Sequence, residues 1–519
     1  MPDLKQLSLG RQEFAKVING NCIYVDKTQH VYQLLNTGNA YFISRPRRFG
    51  KSLLVNTLKE LFSGSKELFR GLWIENKIDW KVRPVIQIDF SRMDYKDVDL
   101  RSAINSYLGK TAEQFEIILN ENTNKNRFLE LIRLLYEKHG PVVILIDEYD
   151  KPIIDYLENF DQAEANRDIL KNFYSCLKGL DNYIHFLFIT GVSKFSKVSI
   201  FSDLNHLEDL TVGTNFAKLF GYTLEEINIY FDDYLQALEK EFSISRTELI
   251  AQMQKKYNGY SWDGKNSVYN PFSLQRFLKE QSFKNYWFAT GTTTFLVNRL
   301  KKMQKPPEEL NEILVTEAFF DRFELRSLDI VSLLFQTGYL TIKHYDRSME
   351  TYLLGFPNEE VENSFLNNLL EVYCNKVQSE LSPIIINLRS SIMNPNPEEL
   401  VNSFKRLYAG IPYDDFISES AVEGIFRSNA YLALKILGVY VQAEVHTNKG
   451  RIDALIQHKD NVFVIEFKIG TAKSAMRQIK TKNYAESYTD KNVYLIALGF
   501  DKKSKNITTS TIEKPKPAS

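Results

Sequence analysis

The order of apolar and polar stretches predicts a parallel sheet in the first part of the chain. Four short, continuously apolar runs are each followed by sequence with helical spacing of apolar residues. Strands that are apolar on both faces are typical of parallel sheets covered by helices. The predicted strands are Tyr41–Ser44, Val85–Phe90, Val142–Asp147 and His185–Thr190. We therefore expect an α/β domain over residues 1–215, preceded by a hairpin turning at Asn19–Asn21 and a helix that starts after Asp26.

The pattern changes after this domain. A capping-box sequence at Thr223 and amphipathic helical spacing predict a helical lid with a small helix–strand element over residues 216–350. Residues 351–502 begin with two helical stretches, 359–380 and 397–408. They end with strand, turn and strand over 451–468, a helix over 472–488 and a closing strand at 493–498, which indicates another α/β domain. The polar, Lys-, Ser-, Thr- and Pro-rich residues 503–519 predict a disordered tail.

Composition narrows the class of protein. At 519 residues the chain is too long for one core. Lys plus Arg and Asp plus Glu are equal at 65 each, so any basic surface must be local. No apolar run approaches the roughly 18 residues of a membrane helix, and the N-terminus lacks the apolar core of a signal peptide. Three widely spaced cysteines give no metal-ligand pattern and fit a reducing compartment. We expect a cytoplasmic protein with no membrane partner.

The stretch Tyr41–Leu54 predicts a phosphate-binding loop, because a strand runs through a basic loop into Gly50-Lys51-Ser52 and a helix. Backbone N–H groups would face the phosphates, Lys51 would add positive charge, and the Ser52 hydroxyl would ligate Mg²⁺. The standard pattern has glycine where this loop has Arg45. Either the loop takes another path, or Arg45 stabilises transition-state charge. The residues expected around the nucleotide are Arg48, Phe49, Gly50, Lys51, Ser52 and Leu53.

Polar residues at the ends of two later strands supply partners for this loop. Asp147 follows five apolar residues, and a carboxylate in that place is costly unless it is paired or binds a metal such as Mg²⁺. Glu148 is placed to act as general base on an attacking water. Thr190 and Ser193 follow the fourth strand and would sense the γ-phosphate. Each motif alone is more often a chance match, but their order on these strand ends predicts an ATP site.

Residues 451–468 predict a second site. Strand alternation places Glu466 and Lys468 on one face, and Asp453 on the neighbouring strand can lie beside Glu466. Converging carboxylates call for a divalent cation, which Glu423 from a preceding helix would help to bind. Lys468 would orient or help deprotonate a water that attacks a phosphodiester. An ordinary surface hairpin can carry the same Glu-x-Lys. The order of the surrounding elements favours a nuclease-type fold, as does the basic helix that follows, with Lys473, Arg477, Gln478, Lys480 and Lys482.

The sequence resembles bacterial AAA-ATPase-like proteins with a C-terminal PD-(D/E)XK nuclease-type domain. The resemblance spans nearly the whole chain and rests on a series of motifs. They are YVDKT at 24–28, SRPRRFGKS at 44–52, LIDEYDKP at 145–152, the run from Thr190 to Thr211, YNPFSL at 269–274, WFATGTTTFL at 287–296, LLFQTGYLTI at 333–342, GRIDALI and VIEFK. It implies a P-loop NTPase sheet working through Lys51, Ser52, Asp147 and Glu148. It also implies a restriction-endonuclease-like domain with Asp453, Glu466 and Lys468.

Two functional hypotheses follow. In the first, an ATPase regulates a metal-dependent nuclease that cuts DNA or RNA. In the second, the protein is a nucleotide-dependent switch whose C-terminal domain grips nucleic acid or another protein without cutting. ATP and Mg²⁺ are the expected cofactors in the first, and a homo-oligomer is possible because AAA-type ATPases often form rings. No arginine in the sequence can be assigned to a neighbouring subunit.

Overall fold

The chain divides into two compact units in the computed structural model. One comprises Met1–Ala289 with Glu312–Glu362, and the other Thr290–Asn311 with Asn363–Ser519. Most of the expected lid, residues 216–350, therefore falls within the first unit. The structure describes residues 4–194, 200–201, 204, 206–287, 292–303, 307–310, 312–320, 329–409, 429–437, 440–447, 450–482, 488, 490–501 and 506–515.

A five-stranded parallel sheet organises the first unit, in the order β2-β3-β4-β1-β5. The four predicted strands are confirmed, and β5 was not predicted because it is two residues long. Strand ends are in register: Ser44 pairs with Gly191, and Asp89 with Asp147. The polar residues that follow the strands therefore meet at one edge. The strands are β1 Ala40–Ser44, β2 Val85–Asp89, β3 Val142–Asp147, β4 Ile184–Gly191 and β5 Glu208–Asp209.

Helices connect these strands and begin at side chains that cap them. The Asp99 side chain accepts hydrogen bonds from the backbone N–H groups of Arg101 and Ser102. The Thr123 side chain accepts one from the backbone N–H of Asn126. The helices up to β4 are Phe14–Asn19, Thr28–Thr37, Lys51–Phe62, Leu100–Gln114, Asn124–His139, Lys151–Ile154 and Phe160–Tyr174. The expected hairpin at Asn19–Asn21 is wrong, because the residues before it form the first helix. Phe14 and Val17 lie one turn apart and are both buried, so helical spacing decides this segment.

A second layer of helices follows in the same unit. The predicted capping box is present, with Thr223 and Glu226 satisfying each other's backbone N–H groups. The four helices between Leu224 and Glu280 pack around a common apolar core that includes Tyr257 and Phe277. The small three-stranded antiparallel sheet has the order β6-β8-β7. The elements are helices Leu224–Tyr230, Asp232–Phe242, Arg246–Tyr257, Pro271–Glu280 and Ile330–Thr337, with β6 Ile313–Thr316, β7 Thr341–Asp346 and β8 Thr351–Gly355.

The second unit is built on a five-stranded sheet of order β13-β12-β11-β10-β9, in which only β11 and β12 are parallel. Its strands are β9 Tyr440–Thr447, β10 Gly450–His458, β11 Asn461–Ile469, β12 Asn492–Asp501 and β13 Asn506–Glu513. Its described helices are Thr292–Met303, Gln378–Met393, Pro397–Tyr408, the described residues 429–436 and Ala472–Lys482. The division between the units falls inside helix Glu359–Cys374.

Two expectations for this part are corrected. The helix predicted over 359–380 ends at Cys374, and a new one begins at Gln378. Of the helix predicted over 472–488, Ala472–Lys482 is present, and 483–487 lie outside the described residues. The tail predicted to be disordered contains strand β13. This strand pairs with β12, so that β12 has a neighbouring strand on each side. Five of the eight residues of β13 are Thr or Ile, and β-branched side chains favour a strand despite the polar composition.

None of the described helices has the length and apolar character needed to cross a membrane.

Candidate functional site

The loop after β1 leads into a helix whose first turn is open to an anion. Gly50 precedes helix Lys51–Phe62 with φ 90° and ψ 19°, a left-handed conformation that glycine adopts without strain. Among the described residues, no side chain caps this helix. Its first backbone N–H groups and the positive end of its dipole are therefore available to phosphate oxygens.

Lys51 is folded back onto its own loop. Its Nζ donates to the carbonyl oxygens of Arg45 at 2.9 Å and Pro46 at 3.0 Å. Burial lowers the pKa of this ammonium, and the negative charges of Glu148 and Asp147 oppose that shift. A buried cation with donors satisfied only by neutral carbonyls is well suited to exchange them for a charged phosphate.

Asp147 gathers the polar groups at the end of β3. Its Oδ1 accepts a hydrogen bond from the Thr190 hydroxyl at 2.7 Å. Burial raises the pKa of Asp147, and the nearby hydroxyls of Ser52 and Thr190 oppose that shift. The structure thus brings Ser52, Asp147 and Thr190 together, as the sequence predicted.

Glu148 adjoins this group. Its backbone is left-handed, with φ 52°, which is uncommon for a residue with a side chain and directs the chain out of the strand. Its side chain is half-buried. Burial raises the pKa of Glu148, and the positive charge of Lys51 opposes the shift. A carboxylate near the phosphate loop with a raised pKa has the properties of a general base.

Ser193, predicted to sense the γ-phosphate, is bound to another residue. Its hydroxyl and its backbone N–H each donate to Asp150 Oδ2 at 2.6 Å, and Val192 N–H donates to the same carboxylate. Asp150 was not singled out from the sequence. It is fully buried and fixes the loop after β4 against the residues after β3. A further carboxylate shortly after Asp147-Glu148 is the feature of the sequence that could have identified Asp150.

Asp89 is a further missed residue at this edge. It ends β2 in register with Asp147, and its negative charge contributes to the raised pKa of Asp147. Its own carboxylate accepts the Ser91 hydroxyl at 2.6 Å and pairs with Arg92 at 3.0 Å. Strand β2 ends in Ile88-Asp89, so an aspartate follows apolar residues there as it does in β3. This pattern in the sequence could have identified Asp89.

Arg45 is buried inside the fold, with a relative exposure of 1%. Its Nη1 donates to the carbonyl oxygens of Ser44 and Thr211, both at 2.8 Å, and its guanidinium lies 4.0 Å from the ring centroid of Trp262. Burial lowers the pKa of Arg45 to about 9. These contacts support the alternative in which the loop follows its own path. A role in stabilising transition-state charge would require the side chain to leave them.

Two other loop residues predicted to contact nucleotide point into the protein. Phe49 is buried and packs edge-on against Tyr260 and Trp262. The Arg48 guanidinium lies 3.9 Å from the ring centroid of Phe272 and donates to backbone carbonyls. Of the loop residues predicted to contact nucleotide, Lys51 and Ser52 therefore remain as candidates for side-chain contact, and Gly50 and half-buried Leu53 as candidates for backbone contact.

The second predicted site lies on β10 and β11. Ala454 pairs with Ile465, so the same register places Asp453 opposite Glu466. Both carboxylates are buried, with relative exposures of 7% and 2%. Asp453 Oδ2 accepts the backbone N–H of Phe467 at 2.9 Å, which holds it beside Glu466.

Gln478 connects the other members of this site. Its Nε2 donates to Glu466 Oε1, and its Oε1 accepts from Lys468 Nζ at 3.4 Å. Glu466 and Lys468 therefore share a face, and Phe467 faces the opposite side, where it packs against Phe404 and Phe500. The amide fixes the carboxylate and the ammonium relative to each other. Its bridging role was not predicted, although the residue was noted.

Two further predictions concern residues near this site. Lys480 pairs with Glu513 of β13 at 2.7 Å, so its charge is already compensated, whereas Lys473 and Arg477 are exposed on the same helix. Glu423, predicted as a third metal ligand, lies outside the described residues. Within the described ranges no cluster of three or more His, Cys, Asp or Glu side chains is formed.

The donor sets match the cofactors predicted from the sequence. Ser52 and Asp147 present a hydroxyl and a carboxylate near each other, and these are oxygen ligands of the kind used with Mg²⁺ in nucleotide sites. The uncapped helix and Lys51 match a triphosphate. Asp453 and Glu466 supply two carboxylates on one face, which suits a hard divalent cation.

Comparison with known proteins gives two family matches. Residues 8–201 match the AAA-ATPase-like family described as "Predicted AAA-ATPase", and residues 421–510 match the PD-(D/E)XK nuclease superfamily. A relative from Azotobacter chroococcum mcd 1, described as "Uncharacterized protein in vnfD 5'region", is 37% identical over 522 residues, which is 98% of this chain and 99% of the relative.

One solved structure also aligns with the chain. It is that of the Aeropyrum pernix ORC2 protein in ADPNP–ADP complexes, with 11% identity. The alignment covers 66% of this chain and 93% of that one, at a TM-score of 0.27. This likeness is too low to support an inference from that structure.

Proposed function

Because the chain belongs to the family of AAA-ATPase-like proteins with a C-terminal PD-(D/E)XK nuclease-superfamily domain, we propose that it hydrolyses ATP to control a metal-dependent nuclease acting on DNA or RNA. The observation that carries the ATPase part is the grouping of buried Asp147, held by Thr190, with Lys51 and the nearby Ser52 hydroxyl at the start of an uncapped helix. These groups are what a magnesium nucleotide requires.

Each residue has a distinct task in the proposed ATPase. The first turn of helix Lys51–Phe62 binds phosphate oxygens, and Lys51 exchanges its loop carbonyls for them. Ser52 and Asp147 would hold Mg²⁺, which supplies positive charge against the phosphates when bound. Thr190 holds Asp147 in place. Glu148 accepts the proton of the attacking water, and its raised pKa makes it a better base than an exposed glutamate.

Steady-state ATPase assays test this part. Lys51→Ala and Glu148→Gln are each expected to lower kcat by at least about a hundredfold. Lys59→Ala, on the same helix, and Glu137→Gln, on an exposed helix face, are the matched controls and should keep wild-type rates. ATP turnover by Lys51→Ala at the wild-type rate would contradict the proposal.

The proposed nuclease works through the face shared by Asp453, Glu466 and Lys468. The two carboxylates would hold the divalent cation, which supplies Lewis-acid charge on the scissile phosphate when bound. Lys468, fixed by Gln478, donates hydrogen bonds to the attacking water or to the phosphate. Exposed Lys473 and Arg477 on the next helix offer positive charge to backbone phosphates.

Cleavage assays with Mg²⁺ or Mn²⁺ test the nuclease, using single- and double-stranded DNA and RNA with and without ATP. Asp453→Asn, Glu466→Gln and Lys468→Ala should each abolish cutting. Asp460→Asn, in the exposed turn between β10 and β11, is the control and should cut normally. No cleavage of any substrate by the wild type would contradict this part.

A second candidate is the nucleotide-dependent binding switch. It is favoured by the internal bonds of the two carboxylates, since Asp453 accepts a backbone N–H and Glu466 accepts from Gln478. In this role the domain grips nucleic acid or a protein without cutting. Filter binding with and without ATP, alongside the cleavage assay, separates the two: affinity that depends on ATP, with no products, supports the switch.

Three less specific proposals concern the domains, the cellular compartment and the oligomeric state. The lid of residues 216–350 and the nuclease-like domain of residues 351–502 act as separate functional parts. The three free, buried cysteines suit a reducing cytoplasm. Assembly into a homo-oligomer on ATP binding would show as an increase of molar mass in light scattering when ATP is added.

A further inference from the structure

Two charged side chains bind the same two residues from opposite sides. Arg48 Nη1 donates to the carbonyl oxygens of Tyr286 at 3.1 Å and Trp287 at 3.4 Å. Glu360, which is fully buried, accepts the backbone N–H groups of the same two residues, at 2.9 Å for Trp287. The peptide groups of Tyr286–Trp287 therefore lie between a cation and an anion, and both charges are stabilised by peptide dipoles.

The Trp287 side chain adds a third connection to the phosphate loop. Its Nε1 donates to the carbonyl oxygen of Arg47 at 3.4 Å. Its ring packs 5.1 Å from that of Tyr339. Gly338 leaves room for this arrangement, because a Cβ there would come within 2.6 Å of Pro46 and 3.3 Å of the Trp287 ring. Trp287 is thus packed directly against the loop.

The loop must rearrange its hydrogen bonds when phosphate enters. Lys51 donates to the carbonyls of Arg45 and Pro46, and phosphate oxygens compete for those donors. Arg48 follows two residues later and has a left-handed backbone, with φ 68°, so a small change in the loop can relax or increase local strain. Its side chain would carry that change to Tyr286–Trp287.

The connected residues lie next to the passages of the chain from one compact unit to the other. Trp287 is two residues before the passage at Ala289–Thr290, and Glu360 is two residues before the passage at Glu362–Asn363. Tyr286–Trp287 and Glu360 are thus close in sequence to two of the three points where the chain passes between the units, the third being Asn311–Glu312.

We propose that Arg48 and Glu360 are positioning residues that transmit nucleotide occupancy of the phosphate loop to Tyr286–Trp287, and so to the chain passages after Ala289 and Glu362. Nucleotide draws Lys51 away from the loop carbonyls, Arg48 shifts with the loop, and Glu360 keeps the N–H side of the segment fixed. The segment therefore reorients rather than dissociates. This inference rests on the proposed ATP binding and deepens it, since it gives the arginine-rich loop a regulatory task.

Tryptophan emission of the full chain tests the proposal, because Trp287 contacts the loop directly. The probe is a non-hydrolysable ATP analogue with Mg²⁺, added to saturation, and calorimetry on the same samples measures its binding. Because Trp262 also packs on the loop, against Arg45 and Phe49, all proteins are compared in a Trp262→Phe background. In that background nucleotide should change the emission, and Trp287→Phe should remove most of that change. The Trp73 ring packs against Tyr32 and the Trp80 ring against Phe69, so Trp73→Phe and Trp80→Phe should retain the emission change. Arg48→Ala and Glu360→Gln should reduce the amplitude at least threefold at full occupancy.

The outcomes separate this inference from the proposed function. Binding by calorimetry together with an unaltered emission change in Arg48→Ala overturns the inference alone, as does a full change in Trp287→Phe. Absence of binding in the wild type overturns the proposed ATP site and the inference with it. If Glu360→Gln does not fold, the half-buried Arg48 carries the test by itself, with Arg48→Lys expected to restore part of the amplitude.

Discussion

The hydroxyl of Thr190 donates to Asp147 Oδ1 at 2.7 Å, joining the ends of two neighbouring strands at the proposed nucleotide site. Thr190 is fully buried, and Asp147 is nearly so, with a relative exposure of 2%. The bond fixes the carboxylate near the Ser52 hydroxyl. We therefore propose that Thr190 positions Asp147 and does not have to touch the γ-phosphate.

Thr190→Val tests that assignment, since it keeps the shape of the side chain and removes the hydroxyl. A hydrogen bond to a charged group is worth about 1.5–3 kcal/mol, so we expect kcat to fall by about tenfold or more. The Mg²⁺ concentration needed for half-maximal rate should rise as well. Thr111→Val, whose hydroxyl bonds only within its own helix, is the control. An unchanged magnesium dependence in Thr190→Val would contradict the assignment.

The pH dependence of ATP hydrolysis should report the buried carboxylates. Burial raises the pKa of both Glu148 and Asp147 above their ordinary values. Both must be ionised to act, so activity is present above the folded-state pKa and is lost as pH falls through it. The acid limb of kcat/KM should therefore have its midpoint above 4.5, the ordinary value for Glu. The two groups lie side by side, so the limb belongs to the pair.

The measurement is a profile of kcat/KM against pH, with circular dichroism at each pH to show that the protein stays folded. Glu148→Asp, which keeps a carboxylate on a shorter side chain, should retain some activity and shift the limb. A midpoint at or below 4.5 in folded protein would exclude a raised pKa for the catalytic carboxylates.

Substitution of Arg45 distinguishes a structural from a catalytic arginine. Its Nε and Nη2 are buried without hydrogen-bond partners among the described residues. Arg45→Met keeps much of the volume over Trp262 and removes a buried charge, so the free energy of unfolding should be unchanged or higher. Arg45→Ala should lower it by about 2–4 kcal/mol because a cavity remains. Denaturant unfolding gives these values, and a hundredfold loss of kcat in folded Arg45→Met would support the transition-state role instead.

The bridge made by Gln478 should matter for the proposed nuclease. Gln478→Leu keeps the size of the side chain and breaks its bonds to Glu466 and Lys468. Residues that orient metal ligands typically account for about 10–100-fold in activity or metal affinity, and we expect a loss of cleavage in that range. Lys473→Ala, exposed on the same helix, should weaken nucleic-acid binding with little effect on the cleavage step. Wild-type cleavage by Gln478→Leu would show that the bridge is dispensable.

Strand β13 should be needed for the stability of the second unit. It covers the edge of β12, its Thr509 hydroxyl accepts the Ala472 N–H at 2.8 Å, and Glu513 pairs with Lys480. A chain ending at Asp501 should unfold at lower temperature and aggregate through the uncovered edge. Thr509→Val should cost about 1 kcal/mol as a lost helix cap. A chain ending at Lys514 is the control, and equal melting of all three would contradict this role.

The sequence by itself determined the local elements and the identity of the reactive groups. Continuous apolar runs specified the parallel strands β1 to β4, because such runs are stable only when both faces are buried. Asp147 at the end of one of these runs required a partner, since an isolated buried carboxylate is unstable. Gly50-Lys51-Ser52 and Glu466-x-Lys468 likewise follow from local pattern and strand alternation.

Only the tertiary structure decided which of these groups touch one another and which arginines face inward. Arg45 lies on Trp262, and Arg48 binds Tyr286–Trp287, across more than 200 residues of chain. Ser193 binds Asp150 rather than remaining open, and β13 joins β12 although its composition suggested disorder. The physical reason is the same in each case. Burial, long-range hydrogen bonds and cross-strand pairing depend on what the rest of the chain places alongside a residue, and that is not encoded in the residue's immediate neighbours.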